Sequence, residues 1–316
     1  MLAITYWGFP MILSCGEALI DMLPRKSEAG EDAFAPYAGG AVFNTAIALG
    51  RLGAPSGFFS GLSSDLFGQM LDKALTDAKV NAGHAVISNR PTTLAFVRLV
   101  GGQATYAFYD ENTAGRMLTP DVLPPLPDDI DAMFFGGICL MVEPSGSAYE
   151  ALMTREAASR VTMLDPNIRP SFIKDPDAYR ARIDRMVALA DIVKLSDEDL
   201  HWLMGDGDIS ALGQELLSKG PKVVCITEGA RGARGITARG EVFAAATPVE
   251  VSDTVGAGDT FNAGVLAALH RAGALSKDAI ASLDERTLTE ALTLGVRAAA
   301  VTVSRAGANP PWAHEL

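Results

Sequence analysis

Short apolar runs alternate with segments of helical spacing along most of this chain, and that rhythm restricts its fold more than any other feature. Ser56–Gly61, Ala132–Gly136, Val161–Asp165, Asp191–Leu195 and Lys222–Thr227 read as strands, and Met11–Ile20 reads as a buried first strand ending at Asp21. Between them lie helix candidates. Phe43–Leu52 sets Phe43, Ile47 and Gly50 at helical spacing before Gly53 stops it. Leu66–Ala78 turns Leu66, Met70, Leu71 and Leu75 inward, and Ala148–Ala158, Asp177–Leu189 and Asp197–Met204 follow. A last helix carries Leu288, Leu292, Val296, Ala299 and Val303 on one side. Strands separated by helices predict an α/β fold with a mainly parallel sheet covered on both faces.

Two stretches break the rhythm. Thr92–Val100 and Ala104–Tyr109 are rich in β-branched and aromatic residues and flank Gly101-Gly102, a hairpin signal. Asp21–Tyr37 lacks helical periodicity and supplies one or two more strands. Insertions at about 21–37 and 92–109 therefore predict a small sheet, either a lid or an ordinary surface hairpin. The 316 residues allow one large domain or two modest ones. With no repeat or long linker, and Pro120–Pro127 read as a connection, residues 11–316 are expected to form one domain.

The formal charge of -12 disfavours nucleic acid and anionic membranes as partners, since both need a concentrated basic surface. Cys15, Cys139 and Cys225 are far apart in apolar segments and read as buried thiols of a reducing cytoplasm. His84, His201 and His270 lack metal-ligand spacing. Met1–Leu13 is apolar but has no basic stretch or cleavage site, so no exported leader is expected. Residues 1–10 read as an N-terminal extension, and no run is long enough to span a membrane.

Chemistry concentrates in Asp253-Thr-Val-Gly-Ala-Gly-Asp-Thr-Phe-Asn-Ala-Gly264. Gly256, Ala257 and Gly258 lead into a helix whose inner face is Phe261, Val265, Leu266 and Leu269. Small residues at a helix start let several N–H groups converge on one anion, where the helix dipole also favours negative charge. Such a nest suits a phosphoryl group in transit. Asp259, in the first turn, is either a dipole partner or a general base. An acid within one turn of an anion hole has the arrangement that hydroxyl-to-phosphate transfer needs. Phe261 stands where a dinucleotide fingerprint needs its third glycine, and G-x-x-x-x-G-K-[ST] does not occur.

Three weaker segments accompany it. Ala38-Gly39-Gly40-Ala-Val-Phe-Asn44 combines a close-approach turn with a donor–acceptor side chain, or is only a turn and cap. Asp165-Pro-Asn167-Ile-Arg169 follows a buried strand, where crevices of parallel sheets form. Thr227-Glu-Gly229-Ala-Arg-Gly232 is another strand followed by a glycine turn.

Together with Gly61–Gly68 (GLSSDLFG), these segments fall in the order found in ribokinase-like, phosphofructokinase-B type carbohydrate kinases, which the chain resembles from about Met11 onward. Gly16-Glu17-Ala-Leu-Ile-Asp21, Asp165–Arg169 and Ala107–Glu111 (AFYDE) look most like the bacterial fructokinases of that family. The resemblance implies a ribokinase-like three-layer α/β/α fold with a β lid. It implies that Asp259 is the base and that Gly256, Ala257 and Gly258 form the anion hole. Asp21, Gly39, Gly40 and Asn44 would bind sugar, with Asn167 and Arg169 near the substrate or phosphate end. Thr227, Gly229, Gly232 and, by resemblance only, Asn309 in the Ser304–Asn309 turn would border ATP. Mg2+ would accompany the triphosphate, a monovalent cation such as K+ would sit against the loop at Asp253, and a homodimer would pair through the lid, with the Tyr106/Phe108 face available for it.

Two departures stand out. Val42 and Phe43 replace smaller residues of the glycine-pair motif, which is expected to alter the sugar pocket. Ser196 and Asp199 replace an Asn and a Glu, which weakens the case for Asp199 as a magnesium contact and leaves a solvated helix start as its other reading. The expected activity is ATP-dependent phosphorylation of a primary hydroxyl of a free sugar, foremost fructose. 2-Keto-3-deoxygluconate is the alternative, its carboxylate met by Arg98, Arg116 or Arg169. A non-catalytic sugar-binding regulator is the reading from another class, and the intact Gly256–Asp259 segment speaks against it.

Overall fold

All five residues of β1 (Met11–Cys15) are buried, which puts this strand inside a sheet covered on both sides. The computed structural model describes the backbone of residues 10–100 and 103–316. On one side of β1 lie β4 (Ser56–Phe59) and β6 (Val80–Asn81). On the other lie β10 (Ile130–Gly136), β11 (Val161–Asp165), β12 (Ile192–Ser196) and β13 (Val223–Thr227). All pair in parallel. β14 (Gly232–Thr237) and β15 (Gly240–Ala245) extend the far edge antiparallel, giving nine strands.

Side chains alternate across this sheet. Ile12, Phe134, Met163, Ile192 and Cys225 enter one core, while Leu13, Phe135, Leu164, Val193 and Val224 enter the other. The first core is closed by α1 (Ala41–Arg51), α2 (Leu66–Asp77), α7 (Ala257–Arg271), α8 (Lys277–Ala281) and α9 (Glu285–Val303). The second is closed by α3 (Ser145–Glu156), α4 (Pro176–Leu189), α5 (Asp197–Met204) and α6 (Ile209–Ser218). α7 and α9 touch through glycine. A Cβ on Gly264 would stand 2.6 Å from Gly295 Cα, so any larger residue would push the helices apart.

A second sheet has the order β3-β2-β8-β9, from β2 (Leu19–Lys26), β3 (Asp32–Gly39), β8 (Leu94–Val100) and β9 (Gln103–Tyr109). β5 (Gly61–Ser63) and β7 (Val86–Ser88) form a separate parallel pair. The Gly101-Gly102 turn and residues 1–9 of the expected extension lie outside the described residues.

The structure corrects two details of the sequence reading. Met11–Ile20 is two strands, because the chain leaves the main sheet at Gly16 and re-enters the small one at Leu19. Both ends are buried, so hydropathy does not mark the bend. Leu66 does not face inward: it opens α2 just after the Asp65 cap and is 69% exposed. All three cysteines are free and buried. Among the described residues no helix is long and apolar enough to cross a membrane.

Candidate active site

The strand order reverses at β1, from which the sheet grows to one side through β4 and to the other through β10. Ligand crevices of open parallel sheets form at the C-terminal edge of such a switch point. Here a cleft of about 400 Å³ opens at that edge. It is fed by residues at or just after the ends of five strands: Glu17 after β1, Gly137 after β10, Asn167 after β11, Glu198 after β12, and Thr227 at the end of β13. Leu19, Asp21, Tyr106 and Phe108 of the small sheet form one wall.

Asp259 lies at the floor of this cleft in the first turn of α7, only 7% exposed. Burial pushes its carboxyl up to about 7, against the lowering effect of the Asn44 hydrogen bond. Asn44 Nδ2 donates to Oδ2 at 2.9 Å and Asn167 Nδ2 to Oδ1 at 3.4 Å. Gly256 caps the helix at φ 79°, a left-handed conformation suited to glycine. Ala257 N makes a long 3.4 Å bond to Thr254 O, while Gly258 N and Asp259 N donate to no acceptor among the described residues. The anion hole therefore has unspent donors beside the candidate base.

A buried cation that the sequence reading passed over completes this corner. Lys194, 4% exposed on β12, directs Nζ to within 3.0 Å of where a Cβ on Gly258 would stand. Its salt bridge to Asp165 Oδ2 is 3.0 Å. Asp165 also accepts from Asn262 Nδ2 at 2.7 Å and from Asn167 N at 3.1 Å. Burial alone would lower the Lys194 pKa, but Asp165, with Asp199 and Asp259, raises it, so the ammonium stays charged. Asn167 takes φ 47°, a left-handed conformation that asparagine tolerates, and this turns its amide toward Asp259. One signal was available: Lys194 is the only charged side chain within the apolar run Ile192–Leu195.

Asp21, Gly40 and Asn44 come together on the small-sheet side of the cleft. Burial raises the Asp21 carboxyl to about 6. Gly39 makes room for it, since a Cβ there would lie 2.2 Å from Asp21 Oδ2. Arg169 lines the cleft, exposed, its guanidinium donating to Ile168 O at 3.0 Å. Val42 and Phe43 do not shape the pocket: both point into the core, Phe43 edge-on to Phe58. Tyr106 and Phe108 line the cleft, and Phe108 packs on Phe172 while Tyr106 stays exposed.

The expected ATP-side residues divide. Thr227 lines the cleft, and Gly229 sits on a turn with open space where a Cβ would stand. Gly229, Gly232 and Asn309 are not among the lining residues. Gly232 is required by β15, because a Cβ would meet Ala244 O at 2.1 Å. The Asn309 side chain accepts from Arg51 at 2.7 Å. Asp253 uses both oxygens to clamp its loop, accepting from Val255 N and Gly307 N, each at 3.0 Å. Ser196 caps α5 by accepting from Asp199 N at 3.0 Å, leaving the Asp199 and Glu198 carboxylates on the cleft.

Residues 10–315 match the pfkB family carbohydrate kinases. The chain belongs to that family. Within the pfkB family it is 58% identical over 278 residues to a fructokinase of Rhizobium leguminosarum bv. trifolii, covering 88% of this chain and 85% of that one. Among solved structures, the fructokinase of Xylella fastidiosa with bound ATP superposes with a TM-score of 0.86 at 28% identity, over 94% of this chain and 93% of that one. A fructokinase double mutant of Vibrio cholerae in a fructose-, ADP- and potassium-bound form gives a TM-score of 0.83 at 26% identity, over 95% and 94%. The pfkB chain is therefore a carbohydrate kinase with the ribokinase-like α/β architecture expected from its motifs.

Proposed function

We propose that this protein is an ATP-dependent fructokinase, moving the terminal phosphoryl group of ATP onto a primary hydroxyl of fructose to give fructose 6-phosphate and ADP. One observation carries the reading: a buried carboxyl raised to about 7 stands beside free helix-start amides and a charged lysine. Asp259 takes the hydroxyl proton as the oxygen attacks phosphorus, and the oxygen–phosphorus bond to ADP breaks as the new one forms. Gly258 N, Asp259 N and Lys194 Nζ meet the charge on the transferring oxygens. A donor so placed in a water-poor site contributes about 3 kcal/mol to the barrier reduction. Asp21, Gly40 and Asn44 hold the sugar hydroxyls, and Thr227 and Gly229 border the nucleotide.

The choice of fructose is supported by the 58% identical Rhizobium enzyme. 2-Keto-3-deoxygluconate is less well served. Arg116 is committed to Asp110 at 2.9 Å and to Glu143 O, and the Arg98 side chain lies outside the described residues, which leaves Arg169. Glu198 and Asp199, both on the cleft, fit a metal carried by the nucleotide. Mg2+ there would draw charge from the phosphates. The clamp at Asp253 is the place for a potassium ion like the one named in the Vibrio structure. The small sheet serves as a lid that excludes water. Its outer face, with Phe34, Phe96 and Tyr109 in edge contact, offers a further apolar surface for a second copy of this chain. The cytoplasm supplies the ATP and the reducing conditions that three free thiols suit.

ADP release measured over fructose, 2-keto-3-deoxygluconate, ribose and adenosine tests the assignment. Fructose should give the highest kcat/KM. Preference for the keto acid would replace fructose by that substrate, and no turnover with any sugar would favour a sugar-binding regulator.

A further inference from the structure

Glu17 has no part in the transfer described above, yet it is 6% exposed and lines the cleft. It lies in the connection Gly16–Ala18, where the chain passes from β1 of the main sheet to β2 of the small one. Oε1 accepts from Ala41 N at 2.9 Å, the first residue of α1 and the point where β3 returns to the main body. Oε2 accepts from Cys139 N at 3.5 Å, in the turn after β10. A single carboxylate thus joins both ends of the β2–β3 hairpin to each other and to the main sheet.

The surroundings are shaped to it. A Cβ on Gly137 would lie 2.1 Å from Glu17 Oε2, and one on Gly40 would lie 2.9 Å from Glu17 O. Both glycines have positive φ, 77° and 108°, where a side chain would be strained as well as obstructed. Among the described residues no cation pairs with Glu17, and burial raises its carboxyl. Asp21 follows it by four residues and Asn44 lies three residues into α1 from Ala41, so both sugar-side groups are attached to the connections Glu17 ties. Asp65 of GLSSDLFG does the same for the other hairpin. It accepts from Thr92 N at 2.8 Å and Thr92 Oγ1 at 2.7 Å, just before β8, while capping α2 through Gly68 N at 2.7 Å.

We propose that Glu17 is a positioning residue: it pins the two connections of the β2–β3 hairpin so that Asp21 and Asn44 face one sugar. This rests on the carbohydrate-kinase reading of the cleft. Two variants of the full chain break the Glu17 pin from opposite sides. Glu17→Gln sets an amide NH2 against one of the two backbone donors. Ala41→Pro deletes the other partner at a helix position that accepts proline, after a glycine at ψ 135°.

Two readouts are compared with wild type. The first is the KM for fructose and for ATP. The second, which needs no substrate, is hydrogen–deuterium exchange. In both variants the fructose KM should rise roughly tenfold and the ATP KM stay within about twofold, as expected for loss of one buried hydrogen bond. Amides of Leu19–Lys26 and Asp32–Gly39 should exchange roughly tenfold faster while those of β10–β13 keep their protection. Unchanged exchange, faster exchange throughout the main sheet, or loosening in only one variant overturns the pin. A wild type inactive on fructose overturns the sugar assignment instead, and the exchange data still decide the pin.

Discussion

Asn44 Nδ2 and Asp259 Oδ2 are 2.9 Å apart, joining the turn that follows Gly39-Gly40 to the helix start 215 residues later. The bond ties the sugar side of the cleft to the group proposed to take the proton. Because it lowers the Asp259 pKa against burial, Asn44 sets the pH at which the base becomes available.

A pH profile follows. The base works ionised, so kcat/KM for fructose should fall below about pH 7, approaching tenfold per unit. Asp21, raised to about 6, should steepen the fall below that value. In Asn44→Ala the acid limb should move upward and the fructose KM should rise. Steady-state rates between pH 5 and 9 provide the check, and an unmoved limb would detach Asn44 from the base.

Stability should respond to the same group. Burial raises Asp259 from 3.8 to about 7, so the ionised form is disfavoured in the folded state. This destabilisation is absent below about pH 4, grows between 4 and 7, and is constant above. Asp259→Asn should therefore be more stable than wild type by on the order of 2–4 kcal/mol at pH 8 and by about zero at pH 4, and unfold at correspondingly higher temperature. Thermal melts at the two pH values measure the difference.

Lys194 provides a third expectation. Lys194→Met should lower kcat by about 10²–10³-fold with little change in fructose KM, because its ammonium faces the anion hole rather than the sugar. Lys194→Arg should not rescue the rate, since Nζ already approaches the Gly258 position at 3.0 Å. Asp165→Asn should also slow turnover, because the buried lysine loses its charged partner. Kinetics of the three variants separate these outcomes.

The sequence makes some of these features visible and hides others for physical reasons. Gly256–Asp259 is legible because an anion hole at a helix start is local, made by consecutive residues. Strands such as Val161–Asp165 are legible because burial on both faces leaves a continuous apolar run. Lys194 and Asn262 are not, because their partner Asp165 lies 29 and 97 residues away and only the folded sheet brings them together. Glu17 is visible only as part of a motif, since the partners that tie the hairpin, Ala41 N and Cys139 N, are backbone amides that any residue would supply. Gly232 carries a constraint hidden in the sequence: its glycine answers to the neighbouring strand, and a turn after a strand looks the same whether or not that is so.

The most direct measurement is fructose-dependent ADP release by Asp259→Ala beside wild type, with fructose binding followed by calorimetry. Loss of the base should lower kcat by at least about 10³-fold, while fructose binds within a few-fold of wild type. A variant that still turns over within about tenfold of wild type would contradict the proposed proton transfer.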